Sequence, residues 1–187
     1  MKRMKNEDFD CFLLRMERQF NGTGKQGEKN GGEREFACGF GFRIRIPPDF
    51  REGGKEEAEG IFWSQDRPPV LFLTPDRRAG ITFRQMETED AADACMGRIR
   101  QALQRADGRT VFYGSGAAGK NGDIPWLEYK SFAADERVYN LAFLFAAGGG
   151  CVMGTFYCAL EDYDKWKPVV FGMLDTVKTT EEEGGYR

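Results

Sequence analysis

The string Gly114-Ser115-Gly116-Ala117-Ala118-Gly119-Lys120-Asn121 comes within one residue of the phosphate-binding pattern G-x-x-x-x-G-K-[ST]. That chemistry needs backbone N–H groups to cradle phosphate oxygens, a lysine for the terminal phosphates, and a hydroxyl for magnesium. Asn121 removes the hydroxyl. A helix must also start here so that its N-terminal N–H groups meet the anion. Gly122-Asp123-Ile124-Pro125 follows instead, a run that breaks helices. The string reads as a hairpin loop after a strand at Arg109–Tyr113.

Other chemistry-bearing residues are weaker still. The chain has no histidine, which removes His-assisted nucleophiles, His-liganded metals and the usual general base near neutral pH. The cysteines are Cys11, Cys38, Cys95, Cys151 and Cys158, with no C-x-x-C spacing, so a zinc ribbon or thioredoxin-like site is not expected. Cys95, Cys151 and Cys158 sit in apolar patterns and read as small core residues; Cys11 and Cys38 are the more exposed thiols. Carboxylates come in runs (Glu56-Glu57, Glu161-Asp162, Glu181–Glu183) that read as solvated turns and tails, not as a facing pair across a cleft. Asp162-Tyr163-Asp164 is followed by Lys165 and makes a poor calcium loop. No catalytic, metal or cofactor residue is assigned.

Binding chemistry is better represented. Arg43 and Arg45 are two apart on a predicted strand and point the same way, suiting bidentate contacts with an acidic partner. Arg84 or Lys130 from neighbouring strands would extend that face. Trp63 and Trp126 fall near strand ends, where an exposed indole suits an interface centre. Phe9, Phe12, Leu13 and Met16, continued by Phe20, form one apolar helical stripe. An isolated helix of that length is marginal in water, so it must dock on its own domain, a second copy, another protein or a membrane surface, the last disfavoured by a polar face that mixes Glu and Asp with Lys and Arg.

These residues need a scaffold, and the patterning supplies one. Residues 1–20 read as the amphipathic helix. Residues 21–35 hold no apolar side chain and read as a flexible linker, with a coil length of about 20 Å. The domain at 36–180 opens with Cys38, Phe40, Phe42, Ile44 and Ile46 alternating with Gly39, Gly41, Arg43 and Arg45, a half-buried strand ended by Pro47-Pro48. Arg51–Gly60 reads as a solvated loop. Strands are predicted at Ile61–Ser64, Val70–Thr74, Gly80–Met86, Pro125–Phe132, Val138–Phe145 and Cys151–Leu160. One helix carries Cys95, Ile99, Ala102, Leu103 and Ala106 on a face, with Thr88 as its N-cap. A closing helix carries Tyr163, Trp166, Val169, Val170, Met173, Leu174 and Val177, with Asp164 as N-cap and Pro168 in the first turn. Residues 181–187 read as a polar tail. Short turns imply antiparallel pairing, and two helices must cover the faces. The expected class is α+β: about six antiparallel strands flanked by helices in an α/β/α sandwich.

Three phrases carry a family resemblance: F-R-I-R-I-P-P-D-F at 42–50, V-Y-N-L-A-F-L-F…G-T-F-Y-C at 138–158, and Y-D-K-W-K-P-V-V-F-G-M-L-D-T-V at 163–177. In these and in element order, residues 38–178 resemble the PsbP-like superfamily, which also includes the eukaryotic Ran-release factors and many bacterial domains. The resemblance implies an antiparallel sheet flanked by helices, and binding of a protein partner rather than catalysis. It carries over no functional residue.

Bulk properties narrow the function classes. A net charge of −3, mixed along 187 residues, argues against a nucleic-acid binder. No apolar run approaches the roughly 18 residues of a membrane span. Glu7, Asp8 and Asp10 interrupt the apolar core that an export signal requires, so a cytoplasmic location is expected. The expectation is thus a non-catalytic protein-binding module, adaptor or chaperone-like, without cofactor. A small-ligand carrier and a Cys- or carboxylate-dependent hydrolase are the alternatives.

Overall fold

Alternation of apolar and polar residues builds the largest layer. The computed structural model describes residues 34–62, 67–88, 91–133 and 136–179. Phe9, Phe12, Leu13, Met16, Cys11 and Trp63 lie outside the described residues, as does the polar tail. In chain order the elements are β1 (Arg34–Cys38), β2 (Phe42–Ile46), β3 (Arg51–Glu52), α1 (Lys55–Ile61), β4 (Val70–Leu73), β5 (Ala79–Met86) and α2 (Ala92–Ala106). There follow β6 (Val111–Ala118), β7 (Ile124–Ala133), β8 (Glu136–Ala147), β9 (Gly150–Ala159), a 3-10 turn (Leu160–Asp162), α3 (Tyr163–Leu174) and β10 (Lys178–Thr179).

Seven strands, against about six expected, form one antiparallel sheet in the order β3-β4-β5-β9-β8-β7-β6. The chain leaves this sheet at Met86 and rejoins it at Val111 on the far edge, so α2 must cross one face. Its buried Cys95 and Met96 pack on Leu127, Tyr129, Ala142, Leu144 and Cys151. Helix α1 lies toward the other end of the same face, where Ala58 meets Leu71 and Leu73. The opposite face is covered by α3 and by a second sheet, β1-β2-β10. There Phe42, Ile44 and Ile46 join Phe83, Phe143, Phe156, Trp166, Val170 and Leu174 in the main core. Burying each such side chain contributes about 1.5–3 kcal/mol.

Several local expectations are corrected. The alternation that predicts one strand from Cys38 is broken by a turn: Gly41, at φ +78°, donates its N–H to the Cys38 carbonyl at 3.2 Å. A hairpin results, and β1 takes in Arg34 and Glu35 from the stretch read as linker. The supposed loop at 51–60 contains β3 and α1. Its hidden order comes from Glu57, which accepts the Gly54 N–H at 3.1 Å and so closes the first turn. Ile61 ends α1 instead of starting a strand. Ala91, not Thr88, caps α2; the Thr88 hydroxyl lies 3.7 Å from the Cys95 sulfur instead. Helix α3 starts earlier than expected, with Asp162 at its N-cap position, and its first residue Tyr163 packs tilted against Tyr139 with ring centroids 5.6 Å apart. Pro168 consequently stands inside the helix.

The phosphate-like string is also reassigned. Gly114 to Ala118 continue β6, and only the turn at Gly119–Asp123 is a loop. Gly119 and Gly122 take φ of +84° and +68°, which L side chains rarely adopt, and the Gly122 N–H donates to the Gly119 carbonyl at 3.0 Å.

A recurring device fixes the sheet's faces. Three glycines stand directly opposite an aromatic on the neighbouring strand: Gly154 opposite Phe143, Gly80 opposite Tyr157, and Gly116 opposite Trp126. In each case a Cβ on the glycine would collide with the ring. Gly154→Ala should therefore destabilise the fold by roughly 1–3 kcal/mol through overpacking. Gly97→Ala, on the exposed face of α2 with nothing near its Cβ position, should stabilise it by about 0.5–1 kcal/mol. Denaturant unfolding of both variants reads the two signs.

Candidate functional site

The binding residues picked from sequence do not converge. Arg43 and Arg45 are exposed on the outer face of β2. Glu35 is register partner to Arg45, and Lys178 to Arg43, so the face mixes both signs. Arg84 on β5 and Lys130 on β7 belong to the other sheet and do not extend it. Trp126 is partly buried against the core, its ring 5.3 Å from that of Phe171. Cys95, Cys151 and Cys158 are buried. Burial pushes the half-buried Cys38 thiol above its ordinary value, and burial followed by the neighbouring Cys95 does the same to Cys151. Neither change favours the thiolate.

The structure draws attention elsewhere, to the sheet face carrying α1 and α2. Beside the C-terminal end of α1 lies a groove of about 1100 Å³. Its floor is built by strand periodicity: Thr82, Thr155, Tyr157, Asn140, Tyr129 and Ser131 all point to this face from β5, β9, β8 and β7. The floor thus sets hydroxyls and an amide beside the apolar Met153 and Val138. The Asn140 side-chain amide donates to the Ser131 hydroxyl at 2.8 Å and to the Val138 carbonyl at 3.1 Å. Tyr157 lies across Gly80 and against Phe62, ring centroids 6.4 Å apart. Burial pushes its phenol up to about 12, so it stays protonated.

The rim is basic. Arg77, Arg78, Arg84 and Arg137 line the groove against two acids, Glu136 and Glu161. Arg78 pairs with Glu161 and lies 3.4 Å from Asp162. Arg77 adopts φ +59°, which turns the β4–β5 hairpin so that its guanidinium reaches Glu57 of α1 at 3.1 Å. That hairpin is held by Asp76, which accepts the Thr74 hydroxyl at 2.6 Å and the Arg78 N–H at 3.1 Å; both bonds lower its pKa. Sequence reasoning missed this site because its members come from separate strands, and each alone resembles an ordinary polar position.

A second polar cluster lies on the opposite face. Glu128, nearly buried, accepts the Tyr139 hydroxyl at 2.5 Å and the Lys167 ammonium at 2.6 Å. Carboxylate, phenol and amine are acid–base residue types, but Glu128 does not border the groove. Its geometry is that of an ion pair tying α3 to the sheet. Among the described residues no group of His, Cys, Asp and Glu is placed to hold a metal ion, and no helix is long and apolar enough to cross a membrane.

Two outcomes follow from these charges. Glu57 is held down to about 2, first by the Arg51 guanidinium at 2.6 and 2.9 Å and then by the Gly54 N–H. Its folded value lies below the ordinary 4.5, so its contribution is complete above that pH and is lost as pH falls toward about 2. Wild type should lose stability across this window more steeply than Glu57→Gln in acid-unfolding titrations. For the second cluster, Lys167→Met should cost about 2 kcal/mol by leaving Glu128 without its cation. Adding Glu128→Gln should recover most of that loss, which a double-mutant cycle measures.

No protein-family model and no curated protein matches the chain. Solved structures do. A solution structure of cyanobacterial PsbP from Synechocystis sp. PCC 6803 superposes with TM-score 0.57 at 13% identity, covering 83% of this chain and 98% of that one. A Pseudomonas aeruginosa protein of unknown function, described as a putative regulator, gives TM-score 0.43 at 11% identity over 78% and 96% of the two chains. A Bacteroides thetaiotaomicron protein gives 0.45 at 15% over 80% and 49%. Seven antiparallel strands, the crossing helix, the closing helix and the cyanobacterial superposition together make this a PsbP-like α+β fold.

Proposed function

We propose that this chain is a non-catalytic binding module whose groove beside α1 receives an extended, acidic segment of a protein partner. The carrying observation is a sheet face lined with hydroxyl and amide side chains beneath four arginines. Arginine forks recognise carboxylates bidentately, and hydroxyls adapt to the backbone of an extended chain. The groove's volume of about 1100 Å³ lies just above the roughly 300–1,000 Å³ typical of small-molecule pockets, which favours a segment over a compact metabolite. Raised thiol pKa values at Cys38 and Cys151 speak against a cysteine nucleophile, which needs a lowered one.

The test is fluorescence polarisation of a labelled Glu/Asp-rich peptide with the full chain. Thr155→Trp, which fills the floor, and Arg84→Glu, which reverses the rim, should each weaken binding about tenfold or more. Binding should also weaken with added salt. If the pair Arg43→Glu/Arg45→Glu abolishes binding while the groove variants bind as wild type, the groove reading is wrong.

A further inference from the structure

The two edges of the main sheet are treated differently. At one end β3 is two residues long, consists of Arg51 and Glu52, and runs into Gly53-Gly54. Short and charged, it is a blunted edge. At the other end β6 runs for eight residues, Val-Phe-Tyr-Gly-Ser-Gly-Ala-Ala, without a charge or a proline. It pairs with β7 along one side, with a register shift between Phe112 and Gly114, and no described strand borders the other. Ser115, Gly116 and Ala117 are exposed. The nearest charge before the strand, Arg109, is drawn back by Asp107 at 2.8 Å and lies over the Phe132 ring.

The glycines of β6 are used on the inner side: Trp126 covers Gly116 and the Glu128 carboxylate sits against Gly114. Beyond the irregularity at Tyr113, its outer side from Gly114 to Ala118 is thereby left low. Such an edge is a template for another strand. The sequence of β6 itself indicates which one. Bulk is concentrated at Val111 to Tyr113 and absent from Gly116 to Ala118. Two copies run antiparallel about Ser115 would set the bulky end of each alongside the small end of the other. No charge opposes its own copy in that arrangement, and the pairing closes with two-fold symmetry. A foreign strand would be offered no charged or apolar side-chain pocket by Gly114 to Ala118 to select it.

We infer that β6 is a self-pairing edge, through which two copies of this chain join antiparallel about Ser115 to make one continuous sheet. The inference is independent of the groove, which no residue of β6 lines.

Sedimentation velocity of the full chain over a concentration series reaching tens of micromolar should show a monomer–dimer equilibrium. Ser115→Lys places two ammonium groups against each other at the two-fold axis and should raise the dimer Kd at least tenfold. Glu52→Lys, on the blunted edge, should leave it unchanged. Far-UV circular dichroism checks that each variant folds. Ser115→Cys gives a second readout: paired strands hold opposed Cβ atoms about 4.5–5.5 Å apart, so mild oxidation should give a disulfide-linked dimer whose cross-link maps to position 115. A wild type that stays monomeric throughout the series overturns the inference, as does a dimer indifferent to Ser115→Lys. So does a Ser115→Cys protein that does not cross-link through that position.

Discussion

The sheet depends on leaving side chains out at chosen points. Phe143, Tyr157 and Trp126 each lie flat across a glycine on the next strand. A strand glycine ordinarily weakens a sheet by giving its neighbours nothing to pack on. Here the opposed ring supplies the missing contact from the partner strand. The consequences differ by place. At Gly154 the ring joins a buried aromatic cluster, edge-on to Phe83 and stacked on Phe145. At Gly80 the ring flattens and leaves room above the floor of the groove. At Gly116 the indole fills the inside of an edge strand and leaves the outside bare.

Charge is organised around α1 in the same economical way. Glu57 closes the first turn of that helix, receives the Arg51 fork and anchors Arg77 across the hairpin. One carboxylate thus ties a short helix to β3 and to the β4–β5 turn, and the end of the helix borders the groove. A helix this short lacks the length to stand alone. Its order comes from Glu57 on one side and from Ala58 and Ile61 on Leu71 and Leu73 on the other.

What the sequence made legible follows from how far apart the determining residues lie. The β8–β9 hairpin and the apolar faces of α2 and α3 announce themselves within short windows, because period two and period 3.6 are local signals. The turn at Gly39-Phe40-Gly41 was hidden because an alternating pattern runs straight through it. Helix α1 was hidden because a Gly-rich, charged stretch reads as solvent unless the Gly54–Glu57 cap is noticed. The groove was the least legible part. Thr82 and Thr155 are neighbours only because β5 pairs with β9, and nothing within either strand marks that pairing. The arginines at 43 and 45 drew attention by their spacing, although their surroundings on β2 turn out to be mixed in charge.

The placement of α2 has a consequence for how the chain reaches this state. The strand β5 waits for its inner neighbour, β9, which begins more than sixty residues later. In between, β6 to β9 form a meander of successive hairpins whose contacts are local. Loop closure over such a span must be compensated before the long-range pairing contributes. The last strand made is therefore the one that joins the two halves of the sheet. During synthesis the first half, with β1 to β5, leaves the ribosome without a mate, and its apolar faces stay open until residues 150–159 emerge. A chain stopped short of β9 keeps the β6–β8 meander but has no way to close the centre.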